Sequence, residues 1–298
     1  MLKSLFSGVT GMKNLQTKMD VISNNIANVN TTGFKSGRVR FEDMISQSIA
    51  SAEEGINGKQ VGLGVQASAI DTIMNGGSLQ STGRELDFGI ENVDNSFFVV
   101  SGDGGVNKNY TRDGGFYLDA NNNLVTGAGY SVMGDYRAEG SAPEAGVLEK
   151  LEKLKIPAYI KVAGEKFTEV ESTLANETNV TGLKSYSIDS EGLITGNYGN
   201  GESYVVGQIA LAKFSNASGL EKAGGNLYVA SGNSGTPELG FPAGDGYGVI
   251  RSGFLEMSNV DLANEFTEMI IANRAYQANS RSITTSDSML EELLALKR

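Results

Sequence analysis

The sequence predicts an α+β protein with a long helix at each end and an antiparallel β-rich domain between them. Three observations carry this reading. The 298 residues include 39 Gly and 4 Pro, yet neither type occurs from Met12 to Thr32 or from Phe254 to Arg298. Long helices tolerate few such residues, and turn-rich β structure needs many. Apolar residues repeat with a heptad period inside both stretches, and β-favouring runs bounded by turn residues fill the middle.

At the front, Leu5, Met12, Met19 and Ile26 recur every seven residues, while Leu15, Ile22 and Val29 fill the positions three later, with Gly8 as the gap. This a/d stripe predicts a helix from Ser4 to Val29, roughly 40 Å long at about 1.5 Å per residue. Near its end stand Asn24, Asn25, Asn28 and Asn30, whose amides compete for backbone hydrogen bonds and weaken an isolated helix. Either the helix frays into a turn at Asn30, Thr31, Thr32 and Gly33, or amides turned away from the stripe bond across a helix interface and fix its register.

Residues 1–40 and 254–298 are expected to form one helical terminal domain, with 41–70 an extended connector. The β-rich domain then covers 71–253, with a possible insertion or subdomain at 141–207. Its strands are read from Ser96–Val100, Gly115–Leu118 and Val205–Leu211, each beside Gly, Asn or Asp turn residues. The block from Ala145 to Lys155 could be a short charged helix or the approach to a strand, ended by Pro157.

At the back, Leu262, Met269, Tyr276, Ile283 and Leu290 repeat with the same period, joined by Phe266 and Leu294 and interrupted by Asn273, Ser280 and Asp287. Ser258-Asn259-Val260-Asp261 offers a capping box ahead of this helix, which would run from Asn259 to Leu296. Neither helix can bury its stripe alone. The two ends differ in net charge and could pair with each other or with the ends of neighbouring molecules.

Composition excludes many functions. With no Cys and no His there is no thiol nucleophile, disulfide, structural zinc site or Ser-His-Asp triad. A net charge of −11 repels nucleic acid and anionic lipid. No stretch approaches 18 apolar residues, and the first residues lack the apolar run and cleavage site of a signal peptide. No membrane insertion, nucleic-acid partner or cofactor is expected.

Catalytic and metal signals are weak. Asp119-Ala120-Asn121-Asn122-Asn123 has calcium-loop oxygens at alternate places, but Leu124 stands where Gly is needed and Tyr130 where Glu is needed, so a hairpin turn is the better reading. Gly62-Leu63-Gly64 does not complete a dinucleotide fingerprint. Tyr110, Tyr117, Tyr130 and Tyr136 could line a carbohydrate groove, though aromatics at strand spacing usually face a core. No catalytic constellation emerges, and the protein is not expected to be an enzyme.

The most specific segment is Asn24-Asn25-Ile26-Ala27-Asn28 followed by Thr31-Thr32-Gly33-Phe34-Lys35. It closely resembles the N-terminal signature of the bacterial flagellar rod and hook family. The run from Gly253 to Leu262, then Asn273–Gln277 and Thr284–Asp287, is similar to the family's C-terminal pattern. Gly83–Phe88, Tyr110–Gly114 and Asn216–Leu220 also look familiar, and the region from about 141 to 200 is the least covered.

The resemblance implies a structural protein, exported through the flagellar type III apparatus without signal cleavage and found outside the cell in the hook or basal body. It further implies that the terminal helices form a coaxial coiled-coil-like pair lining the inner tube of a helical homopolymer. Those ends would be mobile in the monomer and ordered in the polymer. Ser252–Met257 and Glu265–Ile270 look most like the hook proteins of Gram-positive bacteria, so the expected role is the flexible universal joint that carries torque to the filament. The distal rod is the alternative, since the lengthened segment from Ile45 to Gln60 also suits a straight shaft; an adhesin or glycosidase ranks lower. The implied partners are further copies of the chain, the distal rod protein, and the hook cap and hook-filament junction proteins.

Overall fold

The computed structural model describes residues 2–50, 57–137, 151–163, 166–169 and 180–296. The protein is a mixed α/β chain with an N-terminal helix, a β-rich centre and a C-terminal helix, divided into two compact units. The first holds Met1–Val29, Lys35–Ile73 and Val260–Arg298, and the second Asn30–Phe34 and Met74–Asn259.

In the first unit, helix α1 runs Leu2–Ala27 and helix α2 runs Leu262–Leu296. The helix start expected at Asn259 falls three residues later, because Asp261 is the cap. Its Oδ1 accepts from the backbone N–H of Ala263 (2.9 Å) and Asn264 (3.4 Å), satisfying donors that the first turn leaves open. The segment expected as an extended connector forms two antiparallel ribbons. Strand β1 (Gly37–Asp43) pairs with β4 (Val65–Thr72), and β2 (Ser46–Ala50) with β3 (Lys59–Gly62). Leu63 and Gly64 link β3 to β4 as an irregular step along one arm, bridged to the opposite arm by the Met44 N–H on the Gly64 carbonyl at 2.9 Å, so the Gly62-Leu63-Gly64 stretch interrupts the strand pairing and is no dinucleotide loop.

The second unit is built on antiparallel strands, among them β5 (Leu79–Ser81), β6 (Phe88–Glu91), β7 (Ser96–Ser101), β8 (Asn109–Thr111), β9 (Phe116–Leu118), β10 (Leu124–Thr126) and β11 (Ser131–Tyr136). Strand β7 lies between β8 and β11 and also pairs with Leu211–Lys213. All of its residues are buried. Phe98 and Val100 enter one apolar cluster with Phe88, Phe116 and Ile209, while Phe97 and Val99 enter a second with Tyr110, Phe214 and Tyr228. The uninterrupted apolar run of β7 therefore serves two faces, as expected for a strand covered on both sides.

Within the stretch 141–207, strands Tyr159–Ala163, Val180–Ile188, Leu193–Tyr198 and Ser203–Ile209 continue the sheet that contains β11 and β7. Residues 145–150 of the charged block lie outside the described residues; from its remainder, Glu152–Lys153 pairs with β11.

Candidate functional site: the helix pair and the signature turn

Helices α1 and α2 pack antiparallel, and small or polar residues set their contact. Ser4 Oγ and Ser286 Oγ lie 3.3 Å apart, and Lys18 pairs with Glu268. A Cβ placed on Gly8 would come within 2.9 Å of Ile283, and one on Gly11 within 2.8 Å of the Asn279 amide. These two glycines let the helix backbones approach more closely than larger residues allow. Along α2 the contact runs through Glu265, Ala272, Asn279 and Ser286, with Met269, Ile283 and Leu290 half-buried beside them.

This corrects the register read from the sequence. The inward heptad positions of α2 are 265, 272, 279 and 286, one residue before Phe266, Asn273, Ser280 and Asp287. Phe266 consequently lies outside the seam at 51% exposure, while Leu262, in phase with Met269 and Ile283, is 39% exposed as the first residue of α2. Leu294 is exposed for another reason. Ser4 already sits opposite Ser286, so the last turns of the longer helix run past the start of α1.

On α1, Ile22 is buried while Leu5, Met12, Leu15, Met19 and Ile26 are half-buried, and Val29, expected as the last helical residue, is half-buried in the turn beyond Ala27; on α2, Tyr276 remains just exposed. A second face of α1 meets the β1–β4 ribbon. The Asn14 Nδ2 donates to the Val65 carbonyl at 2.5 Å, Thr10 lies against Gly64, and Val21 against Gly37. In the β2–β3 ribbon, Gln47 Oε1 accepts a hydrogen bond from Lys3 Nζ.

Both readings of the asparagine cluster hold, for different residues. Asn28 bonds back to the Asn24 carbonyl at 2.9 Å and to its side chain at 3.1 Å, closing the frayed helix end. Asn25, only 1% exposed, joins three elements. Its Nδ2 donates to the Gly37 carbonyl (2.9 Å) and to Glu265 Oε1 (2.9 Å), and its Oδ1 accepts from the Gly37 N–H (3.0 Å). A buried amide with its bonds made fixes register, because sliding either neighbour would strand polar groups. Beside it a cavity of about 270 Å³ is bounded by Lys18, Ile22, Ser36, Arg38, Glu265 and Glu268, among others. Burial raises the Glu265 pKa, with Glu268 and Asp261 adding to that effect and Asn25 and Lys18 opposing it.

The rest of the signature belongs to the second unit, except Lys35, which is fully buried in the first. Gly33 has φ +66, and its N–H donates to the Glu256 carbonyl at 2.8 Å. Asn226 Nδ2 donates to the Thr32 carbonyl at 3.1 Å, and Lys222 lies over the Phe34 ring at 4.8 Å. Beneath this turn sits an ion pair that the sequence did not single out. Arg112 Nη1 donates to Glu256 Oε2 at 3.1 Å, with both side chains 1% exposed. Arg112 Nη2 also donates to the Val93 carbonyl (2.7 Å), and Glu256 Oε1 accepts from the Gly77 N–H (3.0 Å). Burial pushes the Tyr228 phenol up to about 12, with Arg112 opposing and Glu256 adding. Arg112 and Glu256 sit inside two of the stretches that carry the resemblance, the one available signal for them.

The candidates for other chemistry disperse. Asp119 Oδ1 accepts from the N–H groups of Asn121 (2.7 Å) and Asn123 (2.9 Å), and its Oδ2 from the Asn123 amide (2.8 Å), so this loop is a hairpin turn. Tyr110 is buried in a core cluster, Tyr117 lies exposed beneath Arg84, and Tyr130 and Tyr136 pack against the other cluster. Among the described residues no group of three or more His, Cys, Asp or Glu could hold a metal ion, and no helix is long and apolar enough to cross a membrane.

The chain thus combines a paired-helix unit held by the buried Asn25 network with a β-rich unit held by the buried Arg112–Glu256 pair. The chain belongs to the flagellar rod and hook family. Family models match residues 5–35 (flagella basal body rod protein), 94–196 (flagellar hook protein FlgE/F/G D1 domain) and 251–296 (flagellar basal body rod FlgEFG protein C-terminal). The flagellar basal-body rod protein FlgG of Bacillus subtilis (strain 168) is 46% identical over 305 residues, with both chains covered in full. FlgG of Borreliella burgdorferi is 35% identical over 305 residues, and the flagellar hook protein FlgE of the same organism 33% identical over 445, both again covering the two chains completely. The chain is thus a component of the flagellar basal body and hook.

Proposed function

We propose that the chain is a self-assembling subunit of the flagellar axis, and that it builds the straight distal rod in preference to the hook. One observation carries the assembly reading: apolar residues remain exposed on α1 and α2 after the two have paired, on outward positions and in the last turns of α2 that run past α1. Phe6 and Val9 on α1, and Phe266, Ile270, Leu293 and Leu294 on α2, are each at least half exposed. A stripe of this size in water calls for a partner, and contacts that do not close on themselves generate a helical assembly.

The hook-like stretches at Ser252–Met257 and Glu265–Ile270 are outweighed by the length-matched FlgG relatives, since the hook relative aligns over 445 positions against 298 residues here. The ribbon of β2 and β3, whose strand residues are all exposed, supports the same choice. A two-stranded ribbon with no covered face is marginal alone. Packed against neighbouring copies, it would brace the tube against bending.

In this reading α1 and α2 form the coaxial, coiled-coil-like inner layer of the tube, and the chain leaves the cell unfolded through the type III apparatus without cleavage. Its neighbours along the axis would be further copies and the adjoining rod and hook proteins. Leu5, Met12, Leu15, Met19, Ile26 and Val29, with Leu262, Phe266 and Leu294, would supply the apolar contacts between copies. Electron microscopy of the purified full-length protein at high concentration tests this. Straight tubes support the rod, curved tubes would transfer the assignment to the hook, and a monomer at every concentration would sink both.

A further inference from the structure

We propose that Asn57 is a self-modification site: its side-chain amide is lost through attack by the Gly58 backbone nitrogen, which marks the exposed β2–β3 ribbon with a new carboxylate. Three identical dipeptides carry the inference by their differences. Asn is followed directly by Gly at Asn57-Gly58, Asn75-Gly76 and Asn200-Gly201, and nowhere else in the chain. Glycine suits the reaction, because no Cβ stands in the path of its nitrogen and its backbone reaches conformations closed to other residues.

The step balances with water as the sole co-reactant. The Gly58 nitrogen gives up its proton and bonds to the Asn57 Cγ, the Cγ–Nδ2 bond breaks, and ammonia leaves with that proton, so a cyclic succinimide remains. Water then opens the ring at either carbonyl. The product is aspartate or its isomer, in which the main chain runs through the former side chain. Both carry a negative charge that asparagine lacks, close to Lys59 at the start of β3.

Local structure separates the three sites. The Gly76 N–H donates to Asp94 Oδ1 at 2.7 Å, which commits that nitrogen and sets a carboxylate beside the anion that attack requires. The Asn75 carbonyl accepts from the Asn259 amide at 3.2 Å. The Gly201 N–H donates to the Tyr198 carbonyl at 3.0 Å, while Asn200 Oδ1 accepts from the Glu202 N–H (3.2 Å) and its Nδ2 meets the Tyr204 hydroxyl (3.2 Å). Both of those asparagines are held. Asn57 and Gly58 are exposed and make no hydrogen bond among the described residues. They lead into a two-stranded ribbon whose strand residues are all exposed, the kind of element that opens locally at small cost.

The site is independent of the assembly reading and of the choice between rod and hook. The test is peptide mapping by mass spectrometry on the dilute full-length chain at pH 8, folded and in guanidinium chloride, scoring conversion of amide to acid at each of the three sites. Asn57 is expected to convert in the folded chain at close to its unfolded rate, whereas folding slows Asn75 and Asn200 by roughly tenfold or more. Gly58→Ala should slow Asn57 severalfold and leave the other two sites unchanged. An Asn57 that folding protects as strongly as the other two overturns the proposal. So does equal conversion of all three in the folded chain, or a Gly58→Ala protein that converts at the wild-type rate, since attack would then not run through that nitrogen.

Discussion

Gly33 shows how much one residue decides in this chain. Its φ of +66 is a region that side chains with a Cβ rarely occupy, and a Cβ there would lie 2.7 Å from the Asp113 N and 2.8 Å from the Arg112 carbonyl carbon. Gly33→Ala is therefore expected to destabilise the second unit by about 2 kcal/mol or more through strain and displacement together. Urea unfolding monitored on the β signal checks this, and an unchanged midpoint would show that the turn is not held as described. The buried pair beneath it makes a sharper case. Removing one partner leaves a charge uncompensated at a site with 1% exposure, so Glu256→Leu alone is expected to cost about 3–5 kcal/mol. The double variant Arg112→Met/Glu256→Leu should recover much of that loss, since it removes both charges at once. A double-mutant cycle giving simple additivity would contradict the pairing.

At the scale of the element, the contact of α1 with α2 depends on absent side chains. Gly8→Leu places four carbons where the first already meets Ile283 at 2.9 Å, so the helices must separate or shift. The expected cost is about 1–3 kcal/mol in helix unfolding, and Ile283→Ala in the same chain should return part of it by opening the space. Failure of that rescue would place the clash elsewhere. The same contact explains what the sequence discloses and what it hides. Both helices and their heptad period are legible because apolar residues and missing glycines report them directly. The seam of α2 is not, because it runs through Glu265, Ala272, Asn279 and Ser286, which carry little hydrophobic signal, while Phe266 carries a strong one and lies outside it. Strand β7 is legible as an uninterrupted apolar run, the pattern of a strand covered on both faces, but which clusters cover it is not. Arg112 and Glu256 are 144 positions apart, and a charged pair at that separation has no local pattern to reveal it. Asn25 was legible as an anomaly in a helix, whereas its partner Gly37 was not.

For the whole molecule, the decisive question is whether the outward apolar surface of α2 serves assembly and not the fold. Phe266 and Ile270 are 51% and 63% exposed and lie outside the helix seam, so replacing them removes little from the folded chain. Phe266→Gln/Ile270→Gln keeps good helix formers at both places and should leave urea stability within about 0.5 kcal/mol. If neighbouring copies cover these side chains, however, each loses the burial of much of an apolar side chain, on the order of 1–2 kcal/mol. Together that is about 2–4 kcal/mol, and since about 1.4 kcal/mol is tenfold in an equilibrium constant, the concentration at which polymers appear in sedimentation should rise by roughly 30- to 700-fold. A polymer that forms at the wild-type concentration would mean that this face is not an interface, and the assembly would have to run through α1 or the β2–β3 ribbon. Loss of stability in the dilute variant would instead place these residues within the fold of the single chain.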